Sequence, residues 1–143
     1  MNRAQKIAWL IIITITTSVS LTGISVGILY IKYGFPIAAA GMGFLGITGI
    51  CGLAPVVFKK DQGAVAFDER DILINRKAVN IGFVTGFLIV GLSCMLPFFI
   101  LGPRHTISVI WLPMIFMTAG LSSIYIHSLA ILIQYGRGEI ENE

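Results

Sequence analysis

The stretch KKDQGAVAFDERDILINRK, residues 59–77, holds nine of the seventeen charged side chains in a chain of 143 residues. On either side of it the charge stops. Residues 33–58 and 78–103 contain no Asp, Glu, Lys or Arg, and 7–31 contains none either; 105–136 has only His105 and His127 to break its neutrality. The whole chain is 56% hydrophobic and 12% charged, with a mean hydropathy of +0.89. Soluble domains carry about 25% charged residues. A helix of roughly 20 apolar residues crosses the hydrocarbon core of a bilayer, and four stretches clear that length. The expected fold is therefore all-α: one polytopic membrane domain whose helices, at about 7–31, 36–58, 78–101 and 107–135, form an antiparallel four-helix bundle. The opening stretch is the one sizeable loop.

The first apolar run has the basic start of a signal peptide, Arg3 and Lys6. It is too long for an h-region, and no small-x-small cleavage site follows Leu29-Tyr30-Ile31, so it reads as a retained helix. The formal net charge of +3 does not point to nucleic acid, because the basic residues flank membrane segments.

Those basic residues set the orientation. With the N-terminus in the cytoplasm, Arg3, Lys6, Lys59, Lys60, Arg70, Arg76, Lys77 and Arg137 lie inside, and only Lys32 and Arg104 lie outside. This bias puts both termini and the 59–77 loop in the cytoplasm of a multi-pass protein of the inner membrane. Trp9 and Tyr135 then fall at the inner interface, and Tyr30, Tyr33 and Trp111 at the outer one. The outer connections, near 32–35 and 102–106, are short, so helices 1 and 2, and 3 and 4, are expected to be antiparallel neighbours.

Within the charged stretch, Lys59-Lys60 and Arg76-Lys77 act as stop signals for the flanking spans. Gly63 supplies a turn. Asp68 is placed to cap a helix whose first turn, Glu69-Arg70-Asp71, sets acids at the positive end of the helix dipole. The helix is expected from about residue 69, with 64–67 extended, or alternatively with Val65 and Phe67 in a short strand. The motif FDERDILINRKA, followed at once by a membrane span, resembles uncharacterised small bacterial and archaeal membrane proteins that carry a juxtamembrane Asp-Glu-Arg-Asp/Glu motif, an apolar residue and Lys-Ala. The matching positions are Asp68, Glu69, Arg70, Asp71, Ile74, Lys77 and Ala78, and ILIQYGRG at 131–138 is similar to the last-helix ending of such proteins. The resemblance implies a four-helix membrane protein and carries no catalytic residue.

Small residues mark helix contacts in membranes. Helix 1 has Gly23 and Gly27, and helix 3 has Gly82 and Gly86 with Ser93 on roughly the same face. Helix 2, AAAGMGFLGITGICG, offers a flat strip at Ala39, Gly43, Gly46 and Gly49. Packing inside the bundle accounts for this strip; a homodimer or a membrane-protein partner is the other use. Pro36 suits a first helical turn, whereas Pro55, Pro97 and Pro113 weaken the pairing of carbonyls four residues earlier.

Intramembrane ionisable residues are the default suspects for function, and His127 is the only one. It shares a face with Ser123, Ala130 and Gln134, and helix 1 offers a second polar line in Thr14, Ser18, Thr22 and Ser25. The plain reading is a neutral His127 hydrogen-bonded to a hydroxyl of a neighbouring helix. A proton-relay or substrate-binding role and a metal ligand are the sharper ones, though metal sites need several ligands and His105 belongs to the opposite face. Cys51 and Cys94 form no Cys-x-x-Cys and sit at different depths, so they are expected to remain unpaired. No acid lies inside a span, where a proton-coupled carrier normally keeps one.

The expectation is a non-enzymatic protein, without cofactor, that acts as an accessory, regulatory or immunity-type partner in the lipid bilayer. Its contacts would come from Gly46 and Gly49, from Asp68, Glu69, Arg70 and Asp71, and from His127. The alternative is a small oligomeric transporter or channel built around the Ser/Thr/His seam.

Overall fold

A computed structural model describes residues 3–58, 69–104 and 106–140, and of 137–140 the backbone alone. The element order is α1 (Arg3–Tyr33), a 3-10 helix (Ile37–Leu53), α2 (Ala54–Val57), α3 (Glu69–Leu101) and α4 (Trp111–Ile140). No strand occurs among the described residues. The fold is all-α, with four helical segments long and apolar enough to cross a membrane. Large apolar side chains stand outward on them, Phe83, Phe87, Phe99 and Phe116 among them at 69%, 70%, 76% and 76% exposure. Hydrocarbon suits such surfaces far better than water.

The chain divides into two units, Met1–Val65 and Ala66–Glu143, each a hairpin of long helices. In the first, α1 pairs with the 3-10 helix and α2. The contacts Arg3–Phe58, Ser18–Phe44 and Val26–Gly41 run in opposite order along the two arms of the hairpin, so these neighbours are antiparallel. In the second, Asp71–Tyr135, Asn75–His127 and Gly82–Ser123 do the same for α3 and α4. Gly34 and Gly102, with φ of 69° and 82°, make the turns that close α1 and α3; the left-handed backbone they adopt favours glycine over any residue with a Cβ.

The second span departs from expectation. Its hydropathy predicts one α-helix over 36–58, yet 17 of its residues, Ile37–Leu53, form a 3-10 helix and only Ala54–Val57 is α-helical. Runs of 3-10 helix longer than a few residues are uncommon because side chains at i and i+3 eclipse. One of its three eclipsed columns is Ala40, Gly43, Gly46, Gly49 and Gly52, so along that column four of five members have no side chain to crowd. At about 2.0 Å per residue the 17 residues extend about 34 Å, enough for a core of about 30 Å, where an α-helix of the same length would reach about 26 Å.

Prolines account for the other boundaries. Pro36 precedes the 3-10 helix as its N-cap residue, and Pro55 lies in the first turn of α2, where its missing donor is no loss. Pro113 likewise lies in the first turn of α4, which begins at Trp111 rather than 107. Only Pro97 is inside a helix. α3 begins at Glu69. The cap at Asp68, the Gly63 turn, the reading of 64–67 and the Lys59-Lys60 pair all lie outside the described residues.

Candidate functional site

The α3–α4 hairpin carries a polar seam at the end that holds the start of α3. Asp71, Asn75, Ala78, Gly82 and Gly86 recur at helical spacing and so share one face of α3. Ala78 and Gly82 on that face are buried. A Cβ on Gly82 would lie 2.7 Å from the Ser123 carbonyl oxygen and 3.0 Å from the His127 Cβ, and one on Gly86 would lie 3.3 Å from the Ser123 Cβ. These two glycines let α4 come close enough for side chains to bridge the helices, which is the packing the Gly82–Gly86 spacing predicts.

Among the described residues, these hydrogen bonds bridge them. The Tyr135 hydroxyl donates to Asp71 Oδ1. His127 Nε2 lies 3.3 Å from Asn75 Oδ1, a carbonyl oxygen that accepts from the ring N–H. The Ser123 hydroxyl donates to the Gly82 carbonyl at 2.7 Å. Ser128, fully buried, donates to Ile124 O at 2.9 Å within α4 itself. Gln134 Nε2 is buried without a partner among the described residues. His127 thus pairs with an amide instead of the expected hydroxyl, and Ser123 spends its proton on a backbone carbonyl.

Asn75, and Tyr135 as the partner of Asp71, are the residues that sequence reasoning missed. Asn75 falls in the stretch read as a juxtamembrane extension, and Tyr135 reads as an interfacial aromatic. The signal was present in the spacing: Asn75 lies one turn beyond Asp71, on the line that continues to Gly82.

The first hairpin closes a seam of its own. Ser18, fully buried, donates to Phe44 O at 2.8 Å. Thr14 stands beside the Cys51 thiol. Gly41 is buried, and a Cβ there would lie 2.8 Å from Val26 N and 3.1 Å from the Ser25 carbonyl carbon. Thr22 Oγ1 is buried with no partner among the described residues. The helix 1 line therefore faces the 3-10 helix of its own hairpin. Arg3 fastens the far end, donating from Nε to Phe58 O at 2.6 Å and from Nη2 to Pro55 O at 3.3 Å. Carbonyls at a helix C-terminus favour such a cation.

The remaining expected residues lie elsewhere. Gly46 and Gly49 are exposed, and a Cβ added at either would meet no heavy atom of the described residues within 4 Å; the same holds for Gly43 and Gly52. The close approach to α1 falls at Gly41 instead. Gly23 and Gly27 are likewise open, so their small-xxx-small spacing makes no contact here. Glu69 and Arg70 are exposed at the start of α3. Cys51 and Cys94 carry free thiols. Among the described residues no three of His, Cys, Asp and Glu gather closely enough to hold a metal ion. Comparison with family models, curated proteins and solved structures finds no match.

Proposed function

We propose that this is a non-enzymatic membrane protein that works by association, as an accessory or regulatory partner of another transmembrane segment. The observation that carries the reading is the open glycine column Gly43–Gly46–Gly49–Gly52. In a 3-10 helix, with three residues per turn, these four positions stand directly above one another. All four are exposed, with no heavy atom of the described residues within 4 Å of a Cβ. Flat glycine faces allow backbones to approach closely, and such approach drives helix association in lipid. The polar seams support the same reading: Ser18, Ser123, His127 and Tyr135 spend their hydrogen bonds holding each hairpin together.

Gly46→Leu with Gly49→Leu tests it. The pair should abolish co-purification of the partner, or of a second copy, from native membranes in mild detergent. Gly46→Leu alone, with Gly43 and Gly49 on either side of it in its column and no heavy atom of the described residues within 4 Å of a Cβ, should lose the partner with the thermal stability of the purified protein unchanged. Association at the wild-type level would overturn the proposal.

The second reading, a small oligomeric transporter or channel, draws on Thr22 Oγ1 and Gln134 Nε2, two buried polar atoms without partners among the described residues. Solute flux through reconstituted vesicles that is lost in a Thr22→Val, Gln134→Leu variant would favour it over the first.

A further inference from the structure

α3 has 33 residues, about 50 Å of helix, against a hydrocarbon core of about 30 Å. Its uncharged stretch starts at Ala78, so residues 69–77, about 13 Å of helix, rise through the headgroup layer. Five charged residues lie there, and the helix sorts them by face. Asp71 is half-buried toward α4 with the Tyr135 hydroxyl on its carboxylate. Glu69 and Arg76 are seven residues apart and so fall on one line, where acid and base offset each other. Arg70 and Lys77 are also seven apart and fall on another line, about 10 Å from end to end, that contains no acid. Both are exposed, and Leu73 between them is 56% exposed. The middle of this line lies about 100° around the helix from that of Ile74, Ala78 and Gly82, the buried residues of α3.

We propose that the Arg70–Leu73–Lys77 face binds the phosphate of an anionic phospholipid in the leaflet crossed by the start of α3. Lys77, at the boundary of the uncharged stretch, leans toward the helix N-terminus as helical side chains do. That carries its ammonium out of the hydrocarbon and up to phosphate level. Arg70 starts about 10 Å nearer the water, and its long side chain folds back toward the membrane to bring a planar fork of donors, suited to phosphate oxygens, to the same layer. Leu73 lies between them and brings neither an acid nor a competing hydrogen-bonding group to that face. The net negative charge of the lipid is what selects it: a zwitterionic headgroup brings its own cation to a face that already holds two.

Native mass spectrometry of the full chain, released from mixed micelles of phosphatidylglycerol and phosphatidylcholine, reads the preference directly. The wild type should retain phosphatidylglycerol over phosphatidylcholine. Arg70→Gln with Lys77→Gln should reduce that preference by roughly thirty-fold, about five-fold for each cation near the surface. Lys6→Gln, an exposed cation on α1, should leave it unchanged, and the exchange Arg70→Lys with Lys77→Arg should keep it, which separates lost charge from lost folding. The proposal is overturned if the double glutamine variant retains phosphatidylglycerol like the wild type. It is overturned equally if Lys6→Gln loses as much, a diffuse charge effect, or if inorganic phosphate displaces the lipid, which would make the ligand a soluble phosphate.

Discussion

At Gly82 and Gly41 a single methyl group is too much. The Cβ of an alanine would lie 2.7 Å from the Ser123 carbonyl oxygen in one hairpin and 2.8 Å from the Val26 nitrogen in the other. Backbone atoms do not swing aside as a long side chain can, so the helices themselves must separate. Gly41→Ala and Gly82→Ala should each destabilise the protein by about 1–3 kcal/mol, the usual cost of overpacking, in unfolding titrations from mixed micelles. Gly49→Ala, with nothing within 4 Å, should stay within about 0.5 kcal/mol of wild type. The His127–Asn75 contact is open to the same treatment. Hydrogen bonds between membrane helices contribute about 0.6 kcal/mol on average and about 1.7 at most. A double-mutant cycle on Asn75→Ala and His127→Ala should therefore return a coupling in that range; additive effects would mean the pair does not bond in the membrane.

At the scale of the element, the spans were legible because charge is absent from long stretches and concentrated between them. The kind of helix in the second span was not. Glycine and alanine permit several helical windings, and hydropathy has nothing to say about which one forms. The readable trace was the interval of three between Gly43, Gly46, Gly49 and Gly52, which matches three residues per turn but also passes for a loose small-residue strip on an α-helix. The pairing of His127 with Asn75 was hidden for a related reason. Hydropathy marks where a span ends, not where its packing face ends, and α3 goes on packing against α4 past its own apolar boundary at Ala78, as far as Asp71. The 3-10 winding makes a direct prediction. In a background lacking Cys51 and Cys94, single cysteines scanned through 37–55 should show reactivity repeating every three residues, with 40, 43, 46, 49 and 52 behaving alike. A repeat near 3.6 would mean that this span is α-helical in the membrane.

For the whole molecule, the distribution of Lys and Arg predicts which ends face the cytoplasm. A single cysteine at 62 should be protected from an impermeant reagent added to intact cells and one at 104 should be labelled; the reverse pattern would invert the topology and with it the leaflet met by Arg70 and Lys77. Function by association requires the open face of the 3-10 helix to be a docking surface rather than a lipid-facing one. The most direct measurement is a photocrosslinking side chain placed at position 46, and in a second protein at position 38, in native membranes. Ala38 is buried, at 3% exposure, and Gly46 is open. Position 46 should join a second polypeptide in one discrete band while position 38 does not. Lipid adducts alone at position 46 would contradict a docking face.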